Sequence, residues 1–176
     1  MSEIDVHIDE LTNSIVHQPT GKVFATRIVP WDELTADQRA GFVPWQFDWA
    51  SEANSPSREV VALLAEGTET IQGLLSLEIR EGFIFAHPIE NAPHNVGGNR
   101  LYHGVAGNLF AYACARSFAL GFDGYVSLDA KTELIEHYRK SLGAKQVGKS
   151  QRMFLETDAA NQLVNRYFVK EIDQWP

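Results

Sequence analysis

With 176 residues, a hydrophobic fraction of 44% and a charged fraction of 22%, the chain has the size and composition of one globular domain that builds its core without metals or disulfides. Those values exclude intrinsic disorder and a small disulfide-stapled scaffold, and a formal charge of −8 argues against tracking a phosphate backbone, so no nucleic-acid partner is expected. Cys114 is the single cysteine and cannot close an internal disulfide, and no run reads as a signal peptide or a membrane span, which makes the cytoplasm the expected address, with no membrane partner.

Two stretches, Ser14 to His17 and Lys22 to Val29, flank Pro19-Thr20-Gly21 and predict a hairpin. The segment from Trp31 to Asn54 carries Pro44, Trp45, Phe47 and Trp49 and predicts an irregular or helical lid, its aromatics set in a core or interface, or walling an acceptor pocket. Val60 to Leu64, Ile71 to Ile79 and Phe83 to Ile89 predict three antiparallel strands joined by short turns at Glu66-Gly67-Thr68 and Glu81-Gly82. In the middle strand Leu75, Leu77 and Ile79 alternate with Ser76, Glu78 and Arg80, giving one apolar face. After a Gly/Pro/Asn-rich connection from Asn91 to Arg100, Ala106, Leu109, Phe110, Ala113 and Phe118 repeat at helical spacing between Gly104 and Gly121. Tyr125 to Leu128 predicts a short buried strand, Thr132 to Leu142 a helix stopped at Gly143, and Arg152 to Glu156 a strand. Ala160, Leu163, Val164, Tyr167 and Phe168 form the stripe of a last helix.

The run His103-Gly104-Val105-Ala106-Gly107-Asn108 falls at a helix start that follows a strand and its connection. Amide groups without intrahelical partners and the positive end of the helix dipole suit a pyrophosphate there, and glycine allows close approach. A tight turn with small residues for helix packing is the other reading of the same run. The Lys-Ser/Thr of a P-loop and the complete Gly-x-Gly-x-x-Gly of a dinucleotide fold are missing.

With these elements in this order, the chain resembles the GNAT superfamily of acyl-CoA-dependent N-acetyltransferases. Gly104-x-Ala106 matches the second half of that family's Gln/Arg-x-x-Gly-x-Gly/Ala coenzyme loop, with Leu101 at the basic position and Arg100 beside it. Ile89-x-Asn91-x-Pro93 is similar to the Leu-x-Val-x-Pro stretch ending the central strand. Lys131-x-x-Leu134-Ile135-x-x-Tyr138, then Leu142-Gly143-Ala144, is similar to Asn-x-x-Ala-Ile-x-x-Tyr…Gly-Phe. The resemblance covers about Val60 to Phe154 and implies an α/β fold with a mixed, mostly antiparallel sheet flanked by helices on both faces. It implies one domain over residues 1–176, with acceptor-side strands and helix in 1–58, the coenzyme core in 59–156 and a C-terminal helix in 157–176. It further implies acetyl-CoA as cosubstrate, bound by Asn91, Arg100, His103, Gly104, Val105, Ala106, Gly107 and Asn108, and an amine acceptor. A homodimer is compatible with it.

Tyr138 shares a stripe with Leu134, Ile135 and Leu142, which by itself describes a core tyrosine; the resemblance implies a proton donor to the leaving thiolate. Glu78 and Glu90 are the candidate bases, each also readable as a solvated rim carboxylate. Glu90 is placed first because Ile84, Ala86 and Pro88 precede it on one alternating face and would raise its pKa. No histidine among His7, His17, His87, His94, His103 and His137 has zinc-site spacing, so no metal is expected, and Cys114 reads as a small core residue. Transfer of an acetyl or short acyl group to an amine by direct attack is therefore expected. The alternatives are a GNAT-like module that binds acyl-CoA without turnover and an unrelated small-molecule-binding α/β protein.

Overall fold

The computed structural model describes residue 4, residues 14–40 and residues 45–168. Pro44 and His7 lie outside the described residues, as does the side chain of Phe168.

The expected hairpin forms from β1 (Ile15–His17) and β2 (Lys22–Phe24), with Ile15 opposite Phe24. The stretch to Val29 is not one strand, however. The Ala25 carbonyl accepts from the Glu66 amide at 2.8 Å, and the chain passes there into β3 (Thr26–Pro30), which belongs to a different sheet. A 3₁₀ turn (Trp31–Glu33) leads to α1 (Ala36–Ala40), started by a reciprocal cap in which the Gln38 amide donates to Thr35 Oγ1 and the Thr35 amide to Gln38 Oε1. In α2 (Trp49–Asn54) the Asp48 carboxylate caps the Ser51 amide at 3.1 Å. The lid expectation is thus met by two short helices.

Next come β4 (Glu59–Ala65), β5 (Ile71–Arg80) and β6 (Phe83–Asn91), the antiparallel meander expected. The connection after Asn91 holds a two-residue strand, β7 (Tyr102–His103), pairing with β1. Helix α3 (Val105–Ala119) follows, then β8 (Val126–Asp129), a 3₁₀ turn (Thr132–Leu134), α4 (Ile135–Leu142), β9 (Lys145–Gln146), β10 (Arg152–Leu155) and α5 (Thr157–Phe168). Tyr125, expected in a strand, stays outside β8 and is partly exposed.

The large sheet runs β3-β4-β5-β6-β8-β10-β9, and the β6–β8 pair alone among its neighbours is parallel. The small sheet runs β2-β1-β7. One face of the large sheet sends Leu75, Leu77, Ile84, Ala86, Val126, Leu128 and Met153 against Leu109 and Phe110 of α3, Tyr138 of α4 and Leu163 of α5. The other sends Val60, Ala62, Leu64 and Leu74 against Leu34 and Trp49 of the lid. This is a mixed α/β architecture with helices on both faces. Gly73 seats α3: a Cβ there would meet Val105 Cγ1 at 2.7 Å and Leu109 Cδ1 at 3.0 Å, so the helix start lies directly over the end of β6.

Candidate active site

The parallel pairing of β6 with β8 is short, joining Ile84, Phe85 and Ala86 to Val126, Ser127 and Leu128. The Ile84 amide donates to the Tyr125 carbonyl at 3.1 Å, and donors in this row recur every second residue along β6, which makes residue 88 the third. Residue 88 is proline and has no N–H to give. On its other side β6 bulges: Leu75 faces Ile89 while Leu77 faces Ala86, so His87 and Pro88 together oppose Ser76. Past Pro88, β6 keeps β5 as its partner and has no pairing with β8. The strands part, and the ladder between β6 and β8 is left interrupted up to Asn91.

Asn91, 9% exposed, has a buried Oδ1 without a hydrogen-bond partner, an acceptor waiting at the interrupted ladder. The start of α3 stands over it. Gly104 takes φ +89°, where an L side chain is strained, and supplies no side-chain cap to the first amides of the helix. Val105, Ala106, Gly107 and Asn108 are buried, and Asn108 accepts from Thr26 Oγ1 at 3.3 Å while its Nδ2 lacks a partner. His103 and Arg100 are half-buried on the approach. The expected coenzyme-loop residues therefore converge with Asn91 on one end of the sheet, and the orphaned amide oxygen and amide hydrogens fit a polar arm ending in phosphates.

The approach is itself fixed. Gln72 of β5 accepts from Asn95 Nδ2 and pairs with His94 Nε2 at 2.8 Å, its carbonyl holds the Ala92 amide, and Asn95 Oδ1 takes the Tyr102 amide. Tyr102 completes an aromatic cluster with His17 and Phe24, tying the first hairpin to the foot of α3. Sequence reasoning passed over Gln72 and Asn95, and it weighed Pro88 only as an apolar neighbour of Glu90 and His87 only as a metal ligand. A glutamine inside an apolar strand run was the available signal for Gln72.

On the lid face the bulge overturns the expected placement of Glu90. Its predecessors Ile84 and Ala86 face α3, but the extra residue shifts the alternation, and Glu90 lies opposite Leu74 on the lid side. Its carboxylate accepts from the Gln46 amide at 2.6 Å, the Phe47 amide at 3.1 Å and the Trp49 indole Nε1–H at 2.8 Å. Glu90 thus anchors the aromatic segment. Glu78 sits farther along that face, where Oε2 meets His87 Nε2 at 2.8 Å and Arg80 Nη2 at 3.2 Å. Those two contacts, His87 first, hold Glu78 below the usual carboxylate range, whereas burial pushes the His87 imidazole down, so the pair at neutral pH is carboxylate and neutral imidazole. His87 is 2% exposed and its Nδ1 has no hydrogen-bond partner. Beside it Glu52 of α2 binds both Ser76 and Arg58, and Arg80 and Arg152 stack on the Phe85 ring. Where β5 begins, Thr35, Asp37, Gln38, Trp45, Glu69 and Ile71 line a recess of about 390 Å³ with two carboxylates and an indole wall.

Tyr138 lies on the opposite face, at zero exposure, packed against Phe110 of α3. Burial pushes the Cys114 thiol up to about 12, leaving it protonated in the core. Among the described residues no three His, Cys, Asp or Glu side chains are grouped so that they could hold a metal ion, and no helix is long and apolar enough to cross a membrane.

No family model matches the sequence, and no curated protein does. Among solved structures the chain is similar to a tyrosine-to-phenylalanine mutant of the AtaT toxin bound to the C-terminus of the antitoxin AtaR and acetyl-CoA, with a TM-score of 0.57 and 14% identity over 78% of this chain and 97% of that one. It is also similar to AtaTR bound with acetyl-CoA, with a TM-score of 0.53 and 14% identity over 79% of this chain and 98% of that one. The chain shares its fold with these two structures, and it is the mixed α/β fold that the resemblance in the sequence implied.

Proposed function

We propose that the chain is an acyl-CoA-dependent N-acetyltransferase whose coenzyme arm enters the cleft between β6 and β8. The observation that carries this is the ladder stopped at Pro88 beside the start of α3, within a GNAT-like fold. The reaction joins an amine nitrogen to the acyl carbon and breaks the carbon–sulfur bond; the amine's proton goes to a base, and the thiolate takes a proton from an acid. Asn91 and the amides of Val105 to Asn108 hold the arm and its pyrophosphate, with Arg100 and His103 flanking them.

Of the two carboxylates, Glu78 takes the base in this reading. It is ionised at neutral pH and partly open, whereas Glu90 is committed to three N–H donors. Tyr138 is the acid. The second reading, a module that binds acyl-CoA without turnover, is favoured by the complete burial of Tyr138.

The test is release of free CoA from acetyl-CoA across a panel of small amines and lysine peptides, read with a thiol reagent. The buried Cys114 adds no background. Amine-dependent release supports the transferase, and acetyl-CoA binding without release across the panel leaves the binding module.

A further inference from the structure

Ile4 occupies an unusual place. Its amide donates to the Asp129 carbonyl at 2.7 Å, and its carbonyl accepts from the Lys131 amide at 3.1 Å, a parallel bridge to Ala130. Ala130 turns its own amide the other way, to Gln151 on the β10 side at 2.9 Å. Alternation along a strand then puts the Asp129 carbonyl and Lys131 amide on the β6 side, in the same row as the Tyr125 carbonyl that Ile84 uses. Ile4 therefore takes up the ladder where Pro88 breaks it. Its side chain is completely buried among the core residues of the α3 face.

We infer that the main chain at Ile4 holds the place of the acyl-CoA arm in the free protein, and that acyl-CoA binds by displacing it. The proposal rests on the reading that acyl-CoA enters the β6–β8 cleft. The arm of CoA is an extended chain with two secondary amides, so it offers the donors and acceptors that Ile4 offers to the edge of β8. Neighbouring strands lie about 4.8 Å apart, which leaves one chain's width beside that edge. Two occupants cannot share one row of hydrogen bonds. Acyl-CoA affinity is then reduced by the fraction of molecules in which Ile4 has left, and any change that loosens Ile4 tightens acyl-CoA binding.

The experiment follows the Ile4 amide in the unmodified chain by hydrogen exchange, with and without acetyl-CoA at a concentration shown by calorimetry to saturate. The amide should be protected in the free protein and exchange at least about ten times faster in the complex. A second arm measures acetyl-CoA affinity of Ile4→Pro, which removes the amide donor; loss of one backbone hydrogen bond should lower Kd about five-fold. Binding by Ile4→Pro where the unmodified chain shows none supports displacement equally. Continued protection of Ile4 in a saturated complex, or affinity unchanged or weakened in Ile4→Pro, overturns the proposal while the cleft reading stands. Absence of acetyl-CoA binding in both proteins overturns the proposal and the cleft reading together.

Discussion

Glu90 shows what a single buried carboxylate can organise. Three N–H donors from residues 46, 47 and 49 converge on it, so the lid's aromatic segment is held to the end of β6 by charge-assisted bonds. Glu90→Gln would set an amide N–H₂ against N–H groups, and we expect a loss of about 1–3 kcal/mol in denaturant unfolding. Retained stability would show that the lid is held by Trp49 burial alone. His87 and Glu78 predict a pH dependence with a definite sign. Both have lowered pKa values in the folded chain, so the unfolded chain binds more protons, and stability falls on acidification below the ordinary imidazole value near 6.5 and again near 4.5. Melting temperature should drop between pH 7.5 and 5.5, and His87→Gln should flatten that drop. An unchanged slope would mean that His87 is not the group titrating. For Tyr138, the acid assignment predicts that Tyr138→Phe lowers turnover by ten-fold or more, about 1.4 kcal/mol, with acetyl-CoA affinity unchanged. Full turnover with chemistry rate-limiting removes the assignment.

At the scale of elements, the seat of α3 links fold to site. Gly73 admits Val105 and Leu109, and Gly104 turns the chain into the helix with a left-handed φ. Gly73→Ala should lift the helix start and cost about 1–3 kcal/mol, because the nearest atom belongs to a stiff β-branched side chain. Gly104→Ala should cost about 1–2 kcal/mol through its φ and also weaken acetyl-CoA binding. Calorimetry at matched folded fractions separates the two effects, and unchanged affinity in Gly104→Ala would remove the loop from the site. The strands β4 and β6 were legible as apolar runs bounded by glycine turns, β5 through its alternation, and the helices α3 and α4 through helical spacing. The strands β7 and β9, two residues each, carry no period to read. The bulge at Pro88 was hidden for a related reason: alternation assumes regular pairing, and one inserted residue moved Glu90 to the other face. Pro88 itself was visible in the sequence, but the row of hydrogen bonds it interrupts depends on which strand lies beside it.

Across the whole molecule, the N-terminal residues reach several separate parts of the fold. β3 edges the large sheet, while β1 and β2 pair through β7 with the foot of α3, and Ile4 joins β8 on its β6 side. Contacts between residues so far apart in the chain leave no local pattern, so the sequence showed the hairpin and not its destination. The loop before α3, the interrupted β6–β8 ladder and the N-terminal residues thus meet at one end of the sheet, and the Glu78–His87 pair lies on the lid face of the same strands. The most direct test is an amide-resolved NMR titration of the chain with acetyl-CoA. Shifts concentrated at Asn91, Gly104 to Asn108 and Asp129 to Lys131 are predicted. Shifts gathered instead at the groove between α4 and α5, lined by Lys140, Gly143 and Arg166, or no shifts at millimolar acetyl-CoA, would contradict the assignment of the cleft.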